Sequence, residues 1–507
     1  MTGQAEVVAL LRRLAGREPL ETHISLVFVG TDAVWKLKKA VRLSYLDFSS
    51  VAARQHFALR ELALNAPAAP GLYRDVVPVL RRADGSLALG EGDGAPVDWV
   101  LRMARVPEGD FLDVIATEGR LTPSLLDAIA DTVAAYHAAL PAVSGNDPAA
   151  ALRAVTEGNA RSALEAGLRP AAVGAWDAAA GAALDGLAAW LGQRAAAGFV
   201  RRAHGDLHLG NLCLWQGKVV PFDALEFDEA LATIDLGYDL AFLLMDLDQR
   251  VERAAANRVM NRYVARTGDS ALVRGLPLFL SLRAMVRAHV AARTGHGHAG
   301  HAAGLGKSDA AGGYLRAAMA YLQPAPTMVV AVGGLPGTGK STLARALAPG
   351  LGAAPGALVL RSDEIRKRQH GVAPEHRLPE AAYGPGPGKA VFAALSSALQ
   401  QAAADGHAVV ADATFMASAH RRIAERAAAQ AGVPFVGLWL QAPLAVLEAR
   451  LHGRTGDASD ATIEVLHAAS RNDPGPGGWL PIDAANAQQA LDQARAAVRS
   501  RIPGPMC

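Results

Sequence analysis

The sequence predicts two domains, an N-terminal α+β domain over residues 1–322 and a C-terminal α/β domain with a parallel sheet over residues 328–507. Its 507 residues exceed what one ordinary hydrophobic core accommodates. The segment "QPAPT" (Gln323–Thr327) contains two prolines, which disfavour helix and favour an extended linker between the domains. Beyond it, apolar strand-like runs alternate with helical segments, and this alternation is typical of a parallel sheet covered on both faces.

The N-terminal domain begins with strand patterns and continues with helices. "HISLVFVG" and "AVWKLKKAV" flank a turn and predict a pair of strands, and a helical pattern follows from Val51 to Leu64. "DVVPVLRR" and "PVDWVLRMARV" predict two more strands. From Leu121 helical patterns dominate, with short strands at "NLCLW" and "VVPFDAL". The mixture predicts an α+β domain.

Composition narrows the class of protein. A hydrophobic fraction of 51% with 19% charged residues is typical of a soluble globular chain. The net charge of +2 disfavours a nucleic-acid or membrane-surface partner, although a local basic groove at the C-terminal site is left open. The two cysteines, Cys213 and Cys507, form no disulfide framework, and no membrane span or signal peptide is evident. We therefore expect a soluble cytoplasmic protein, whose oligomeric state the sequence does not fix.

The C-terminal domain opens on a phosphate-binding loop. "GLPGTGKS" satisfies the pattern G-x-x-x-x-G-K-[ST], with the strand "MVVAV" before it and the helix "STLARALA" after it. In such loops backbone N–H groups surround the phosphates, the lysine reaches the β and γ phosphates, and the hydroxyl ligates Mg²⁺. The alternative is a glycine turn before a helix. The predicted nucleotide contacts are Gly334, Leu335, Pro336, Gly337, Thr338, Gly339, Lys340, Ser341 and Thr342. The motif predicts ATP and Mg²⁺ as cofactors, with Lys340 as a catalytic residue and Ser341 as a metal ligand.

Charged residues at later strand ends complete this candidate site. Asp363, in "VLRSDEIRK", follows a strand and could accept a proton from a substrate hydroxyl, while Arg366 could hold a phosphate. Asp412 ends the strand of "VVADAT" and is a candidate metal ligand. Arg450 and Arg454 could close over the transferred group. The alternatives are that Asp363 caps a helix and that the arginines are solvated surface charges.

From Thr327 onward the chain resembles the small P-loop kinases, namely gluconate kinase, polynucleotide kinase and zeta-toxin-like enzymes. The resemblance implies a P-loop NTPase fold, and it implies that Asp363 acts as the base toward a hydroxyl acceptor, since an aspartate after the second strand does so in those enzymes. This part of the chain also resembles an AAA-family ATPase-type domain. "AT" follows Asp412 where a ring ATPase has an Asp-Glu pair, so a ring-ATPase mechanism is disfavoured.

A second set of phosphoryl-transfer residues lies in the N-terminal domain. "HGDLHLGN" (204–211) places Asp206 and Asn211 at the spacing of a kinase catalytic loop, in which the aspartate accepts the substrate proton and the asparagine holds Mg²⁺. Asp223, twelve residues after Asn211, ends a strand where a metal-binding aspartate is expected.

The matching cation lies upstream, on the strand "AVWKLKK". Lys36 and Lys38 share one face of this strand, and either could contact ATP. Glu61, on the following helix, could pair with that lysine. Lysine, glutamate, base, asparagine and metal aspartate thus occur in the order that a kinase fold requires.

From Glu21 to Leu322 the chain resembles the aminoglycoside phosphotransferase family, whose catalytic loop reads H-G-D-x-x-x-x-N. The resemblance implies a protein-kinase-like fold and ATP-dependent phosphoryl transfer to a hydroxyl. Two features depart from it. "ETHISLVFVG" lacks a glycine-rich phosphate loop, and no clear acidic cluster marks a polycation pocket. Glu226, Asp228 and Glu229 are candidates for such a pocket, with surface charge as the alternative.

Weaker signals carry less weight. His296, His298 and His301 could bind a metal, but their spacing matches no helix face. His208 is expected to pack or hydrogen-bond locally, and Cys213 to be a small buried hydrophobe.

The sequence therefore predicts a fusion of two kinase-type domains, similar to a known bacterial arrangement. The leading hypothesis is a bifunctional phosphotransferase that uses ATP and Mg²⁺ and acts on small hydroxylated metabolites, with Asp206 and Asp363 as the bases. One alternative is a single active P-loop kinase or ATPase with a regulatory or substrate-binding N-terminal domain. Another is a nucleotide-dependent switch without a small-molecule acceptor.

Overall fold

The computed structural model describes residues 4–43, 46–294, 307–453 and 457–501. They form two compact units. The first unit comprises residues 1–122, 135–155 and 187–243, and the second comprises residues 123–134, 156–186 and 244–507.

The strands and helices are numbered along the chain. The strands are β1 (Leu20–Glu21), β2 (Ser25–Val29), β3 (Ala33–Lys38), β4 (Arg42–Leu43), β5 (Leu46–Asp47), β6 (Tyr73–Arg81), β7 (Leu87–Leu89), β8 (Ala95–Ala104), β9 (Val200–Arg202), β10 (Leu212–Trp215), β11 (Lys218–Pro221), β12 (Thr233–Asp235), β13 (Val329–Gly334), β14 (Leu358–Arg361), β15 (Val409–Asp412), β16 (Phe435–Gln441) and β17 (Leu480–Asp483). The helices are α1 (Ala5–Ala15), α2 (Val51–Asn65), α3 (Leu112–Thr117), α4 (Pro123–Ala139), α5 (Pro148–Glu165), α6 (Pro170–Ala196), α7 (Glu229–Ala232), α8 (Leu236–Arg250), α9 (Arg253–Thr267), α10 (Leu276–Thr294), α11 (Lys307–Tyr321), α12 (Lys340–Leu347), α13 (Ser362–Gln369), α14 (Pro385–Ala404), α15 (Ser418–Ala431), α16 (Leu444–His452), α17 (Ile463–Ser470) and α18 (Ala487–Arg499).

The first unit is built on a six-stranded antiparallel sheet with the order β1-β2-β3-β8-β6-β7. Side chains alternate between its two faces. On β3, Leu37 joins a buried cluster with Phe28 and Val100, against Leu11 of α1. The neighbouring lysines of β3 therefore point to the opposite face, on which α2 packs.

Two short strand pairs carry the remaining site residues of this unit. β10 pairs with β11 antiparallel, with Leu212 opposite Pro221. Because of this register, the loop that precedes β10 and the segment that follows β11 meet at one end of the hairpin. Cys213 is buried in this hairpin, in agreement with its predicted role as a small apolar residue.

The second unit contains a five-stranded parallel sheet with the order β14-β15-β13-β16-β17. α12 and α18 contact each other, as do α14 and α15. Four of the five strands coincide with the predicted apolar runs. β17 was not predicted from the sequence, since it is short and contains Pro481, which an edge strand tolerates.

One edge of this sheet is β14, and α9 covers this edge. The side-chain amide of Asn261 accepts a hydrogen bond from the N–H of Val359 at 2.7 Å and donates one to the carbonyl of Ala357 at 3.2 Å. Asn257 donates to the same carbonyl at 3.0 Å. These contacts satisfy backbone groups that an uncovered edge strand would expose.

A cluster of charges links α9 to α4 in the same unit. Arg262 and Arg266 each donate two hydrogen bonds to the carboxylate of Asp131, at 2.6–2.8 Å. Arg262 also contacts Glu375 at 2.6 Å. Burial raises the pKa of Asp131, but the two arginines outweigh it and hold this pKa at about 2.

The predicted linker, residues 323–327, lies between the end of α11 and the start of β13. The second compact unit includes residues on both sides of it, and the domain limits 1–322 and 328–507 stay a prediction. Within the described part of the chain, no helix is both long and apolar enough to cross a membrane.

Candidate active sites

The first site centres on Lys36 of β3. Its Nζ lies 2.7 Å from Oε1 of Glu61 on α2 and 2.5 Å from Oδ1 of Asp223, which follows β11. Asp223 adopts a φ of 62°, which is uncommon outside glycine, and its N–H donates to the hydroxyl of Tyr73 at 2.9 Å. The structure thus brings together the predicted lysine, glutamate and metal aspartate.

The second lysine of β3 has a different environment. Lys38 is 2% exposed and donates to Oε2 of Glu61 at 2.8 Å and to Glu226. Lys36 retains 12% side-chain exposure and borders Asp223. Of the two candidates for the ATP contact, the geometry favours Lys36, whereas Lys38 is enclosed by carboxylates and by the ring of Phe48.

The charges of this group depend on one another. Burial lowers the pKa of Lys36, but the attraction of Asp223 and Glu61 outweighs it, so this pKa lies well above its ordinary value. Burial raises the pKa of Glu61, yet Lys36 and Lys38 hold it well below the usual range. Burial and the neighbouring Glu61 raise the pKa of Glu226, against the effect of Lys38. The alternating charges keep Lys36 protonated and oriented.

The candidate base and the asparagine lie in the loop before β10. Asn211 donates from Nδ2 to both the carbonyl and Oδ2 of Asp206, each at 2.9 Å. The Asp206 side chain is 41% exposed and therefore accessible to a substrate. His208 accepts a hydrogen bond from the N–H of Gly210, which agrees with the predicted local role.

A buried aspartate that the sequence did not single out supports this loop from beneath. Asp239 of α8 is 0% exposed and accepts hydrogen bonds from the N–H groups of His204 and Gly205, at 3.2 and 2.9 Å. His137 contacts the same carboxylate at 3.1 Å. Asp239 lies in the stretch "IDLGYDLAFLLMDL", where aspartates interrupt an otherwise apolar run, and this was the available signal.

Glu226, Asp228 and Glu229 do not form a pocket. Glu226 is buried against Lys38, so the surface-charge alternative is wrong for this residue. Asp228 accepts hydrogen bonds from the first N–H groups of α7 and is a helix cap. Glu229 is exposed and pairs with arginines, as a surface charge does.

In the second unit, the phosphate loop joins β13 to α12. Gly334 has a φ of 139°, and a Cβ there would lie 2.6 Å from the carbonyl oxygen of Leu440. A Cβ on Gly337 would lie 2.9 Å from the carbonyl of Leu447. Both positions therefore require glycine. Lys340 Nζ donates to the carbonyl of Leu335 at 2.9 Å, within the loop itself.

The loop lines a cavity of about 740 Å³, a size typical of small-molecule sites. Asp363 and Arg366 line the same cavity, as do Asp412 and Arg450. α13 begins at Ser362 and contains Asp363 in its first turn, so the alternative that Asp363 caps this helix is wrong.

Asp363 is suited to proton transfer. Burial raises its pKa above the ordinary value, and the nearby Asp412 acts in the same direction, against Arg361 and Lys340. The hydroxyl of Ser459 hydrogen-bonds to it and stabilises the ionised form. A raised pKa makes a carboxylate a stronger base.

The two candidate metal ligands also lie in this cavity. The hydroxyl of Ser341 and the carboxylate of Asp412 are hard oxygen donors, which is the donor chemistry that Mg²⁺ prefers. Both accept hydrogen bonds from Arg361, a residue of "VLRSDEIRK" for which no role was predicted. The described residues contain no group of three or more His, Cys, Asp or Glu side chains arranged to hold a metal ion.

The segment Asp457–Ala461, here called the 457–461 loop, borders the cavity. Asp460 contacts the fully buried Lys367 at 2.7 Å and accepts from the hydroxyl of Tyr383 at 2.5 Å. Arg450 donates to the carbonyls of Ala484 and Ala485, at 2.8 and 2.9 Å, so the alternative of a solvated surface charge is wrong for this residue, while its lid role stays a prediction. Arg454, with the predicted lid role, and His296, His298, His301 and Cys507 lie outside the described residues.

Comparison with known families gives a match in each of two parts of the chain. Residues 26–275 match the phosphotransferase enzyme family, and residues 329–472 match an AAA domain family. The chain therefore combines a kinase-like phosphotransferase domain with a P-loop domain, which confirms the two resemblances and the fold class predicted from the sequence.

Proteins similar over most of this chain occur in mycobacteria. Uncharacterized proteins of Mycobacterium tuberculosis and Mycobacterium bovis are each 28% identical over 466 residues, which cover 88% of this chain and 88% of the relative. Among solved structures, a gluconokinase from Sinorhizobium meliloti is 23% identical and covers 35% of this chain and 97% of its own, with a TM-score of 0.25. A choline kinase from Cryptosporidium parvum is 9% identical and covers 62% of this chain and 94% of its own, with a TM-score of 0.39.

Proposed function

We propose that the protein is a bifunctional phosphotransferase that uses ATP and Mg²⁺ to phosphorylate hydroxyl groups of small metabolites, one reaction in each unit. The observation that carries the proposal is the shared cavity of the second unit, which a carboxylate with a raised pKa and the lysine of the phosphate loop line together. In the second unit Asp363 and Lys340 line one cavity. In the first unit Asp206 and Lys36 belong to the same kinase-like arrangement.

In the first unit Asp206 would accept the proton of the acceptor hydroxyl as the oxygen attacks the γ-phosphate. Asn211 orients Asp206 through its amide nitrogen, and its amide oxygen, together with Asp223, would hold Mg²⁺. Lys36 would contact the ATP phosphates, with Glu61 keeping it charged and in place.

In the second unit Asp363 would accept the acceptor's proton and Lys340 would contact the β and γ phosphates. Ser341 and Asp412 would hold Mg²⁺, which neutralises charge that develops on the phosphates. Arg366 is 8% exposed and lines the cavity, where it would hold an anionic group.

A second candidate function is a single active P-loop kinase with a regulatory or substrate-binding first unit. The segment before β2 favours it, because the hydroxyl of Thr22 is engaged by the backbone of Ser25. The hydroxyl of Ser25 is itself buried without a hydrogen-bond partner.

The test is transfer of labelled γ-phosphate from ATP into fractionated small metabolites. We expect distinct labelled products, one set lost in Asp206→Ala and another in Asp363→Ala or Lys340→Ala. Loss only in the second-unit variants would favour the regulatory first unit. Release of free phosphate without any labelled metabolite would contradict both and favour a nucleotide switch.

A further inference from the structure

Arg361 occupies a central position in the P-loop site. It is the last residue of β14 and is 4% exposed. Its Nη2 donates to Oγ of Ser341 at 2.9 Å, and its Nε donates to Oδ2 of Asp412 at 3.1 Å. One guanidinium therefore bridges the two side chains that are the candidate Mg²⁺ ligands.

Two further carboxylates also hold the guanidinium. Nη1 donates to Glu364 at 2.8 Å, and Nη2 donates to Asp457 of the 457–461 loop at 2.8 Å. Burial lowers the pKa of Arg361, but the three surrounding carboxylates outweigh it and keep the guanidinium charged. The site thus has a cation of its own, with two partners at the metal position and two beside it.

We propose that Arg361 is the resident cation of the metal position, and that loading of the Mg²⁺–nucleotide complex exchanges its guanidinium for the ion at Ser341 and Asp412. Glu364 and Asp457 keep hold of the displaced guanidinium. This inference rests on the proposed function of the P-loop site.

The physical basis is competition for the same oxygens. Mg²⁺ binds oxygen at 2.0–2.1 Å in a near-octahedral arrangement and cannot share a ligand's lone pairs with a guanidinium in the same direction. Two cations at one position also repel each other strongly in a partly buried site. Because arginine neutralises part of the carboxylate charge beforehand, an anionic nucleotide meets less repulsion. The concentration of Mg²⁺ that nucleotide binding requires is then set by Arg361.

The experiment measures binding of a non-hydrolysable ATP analogue to the full-length chain by titration calorimetry across a range of Mg²⁺ concentrations. All proteins carry Lys36→Met, which we expect to remove binding at the first site. In Arg361→Gln we expect the half-saturating Mg²⁺ concentration to fall by about tenfold, since the ion no longer displaces a charged hydrogen-bond donor.

Arg345→Gln is the matched control. Arg345 lies on α12 with its guanidinium 3.9 Å from Glu364, and it contacts neither Ser341 nor Asp412. The Arg345→Gln substitution removes one positive charge from the same acidic surroundings without freeing a candidate metal ligand. We expect its half-saturating Mg²⁺ concentration to stay within about twofold of the parent.

Arg361→Lys keeps the positive charge that the carboxylates require, and it provides a second test if Arg361→Gln does not fold. An ammonium lacks the planar fork that reaches both ligands at once, so we expect a smaller decrease in the same direction. An unchanged Mg²⁺ requirement in Arg361→Lys and Arg361→Gln would overturn the inference. So would an equal shift in Arg345→Gln, or an affinity that falls equally with and without Mg²⁺, which would make Arg361 a phosphate ligand. Failure of the parent chain to bind the analogue would instead overturn the proposed function of this site, and the inference with it.

Discussion

Replacing Lys38 by methionine tests whether this lysine stabilises the fold of the first unit or contacts the nucleotide. Lys38 is 2% exposed and pairs with Glu61 and Glu226. In Lys38→Met, Glu61 keeps its contact with Lys36, whereas Glu226, with a 5% exposed side chain, loses its lysine partner. Leaving one partner of a buried ion pair uncompensated costs about 3–5 kcal/mol. We therefore expect Lys38→Met to lower the unfolding free energy of the first unit by about this amount.

Lys36→Met should have a small effect on stability and a large effect on ATP binding. The partner that it leaves unpaired, Asp223, has a 41% exposed side chain and is solvated by water. Its stability loss should be about 1 kcal/mol, the scale of an exposed pair. Because Lys36 borders Asp223, the candidate metal ligand, its removal should abolish ATP binding at the first site.

The assay compares urea unfolding and ATP-analogue binding in full-length chains that carry Lys340→Ala, so that the second site is silent. In the double variant Lys38→Met with Glu226→Gln, removing the stranded charge should restore about 1–3 kcal/mol. The reasoning is refuted if Lys38→Met loses analogue binding while its unfolding midpoint stays at that of the parent. In that case Lys38, and not Lys36, contacts the nucleotide.

Three further predictions concern the aspartates Asp363, Asp239 and Asp131. The pKa of Asp363 is raised, and a base must be ionised to accept a proton. Phosphoryl transfer at the P-loop site should therefore decrease on acidification already at a pH above the ordinary aspartate value of 3.8. A decrease that begins only at or below pH 3.8, measured in Asp206→Ala protein, would contradict this. Asp239→Asn should lower kcat at the first site by about 10- to 100-fold with little change in KM, because two backbone N–H groups of the catalytic loop lose a charged acceptor; a change confined to KM would argue against this role. The pKa of Asp131 is lowered to about 2 in the folded chain. Its ionised carboxylate should therefore contribute about 1–2 kcal/mol to the free energy of unfolding above pH 3.8, and this contribution should disappear as the pH falls toward 2. Asp131→Asn should therefore unfold more readily than the parent at pH 7 but not at pH 2, and equal stability at pH 7 would contradict the assignment.

Local motifs made part of each site predictable. The phosphate loop and the spacing of Asp206 and Asn211 depend on residues within one turn or loop. Their local geometry can therefore be predicted from residue types and spacing alone. The parallel sheet was also predictable, since its apolar strands are buried on both faces and appear as continuous apolar runs.

Residues whose role depends on distant contacts were not predictable in the same way. Arg361 meets Asp412 and Asp457, which lie 51 and 96 positions later in the chain. Period-two alternation placed Lys36 and Lys38 on one face of β3, but it could not rank their burial. The difference between them arises from the loop after Asp223, which carries Glu226 to Lys38, and this approach spans 188 positions.

The strand that ends at Arg361 is also held from outside the parallel sheet. β14 is an edge strand, and Asn261 hydrogen-bonds to its outward N–H at Val359 and to the carbonyl of Ala357, the residue before it. Asn261 lies on α9, within the range that matches the phosphotransferase family and not the P-loop family. A chain cut at residues 323–327 would therefore leave the N–H of Val359 and the carbonyl of Ala357 to water or to another strand. Because β14 carries Arg361 and leads directly to Asp363, the geometry of the P-loop site depends on a helix that lies before the proline segment in the sequence.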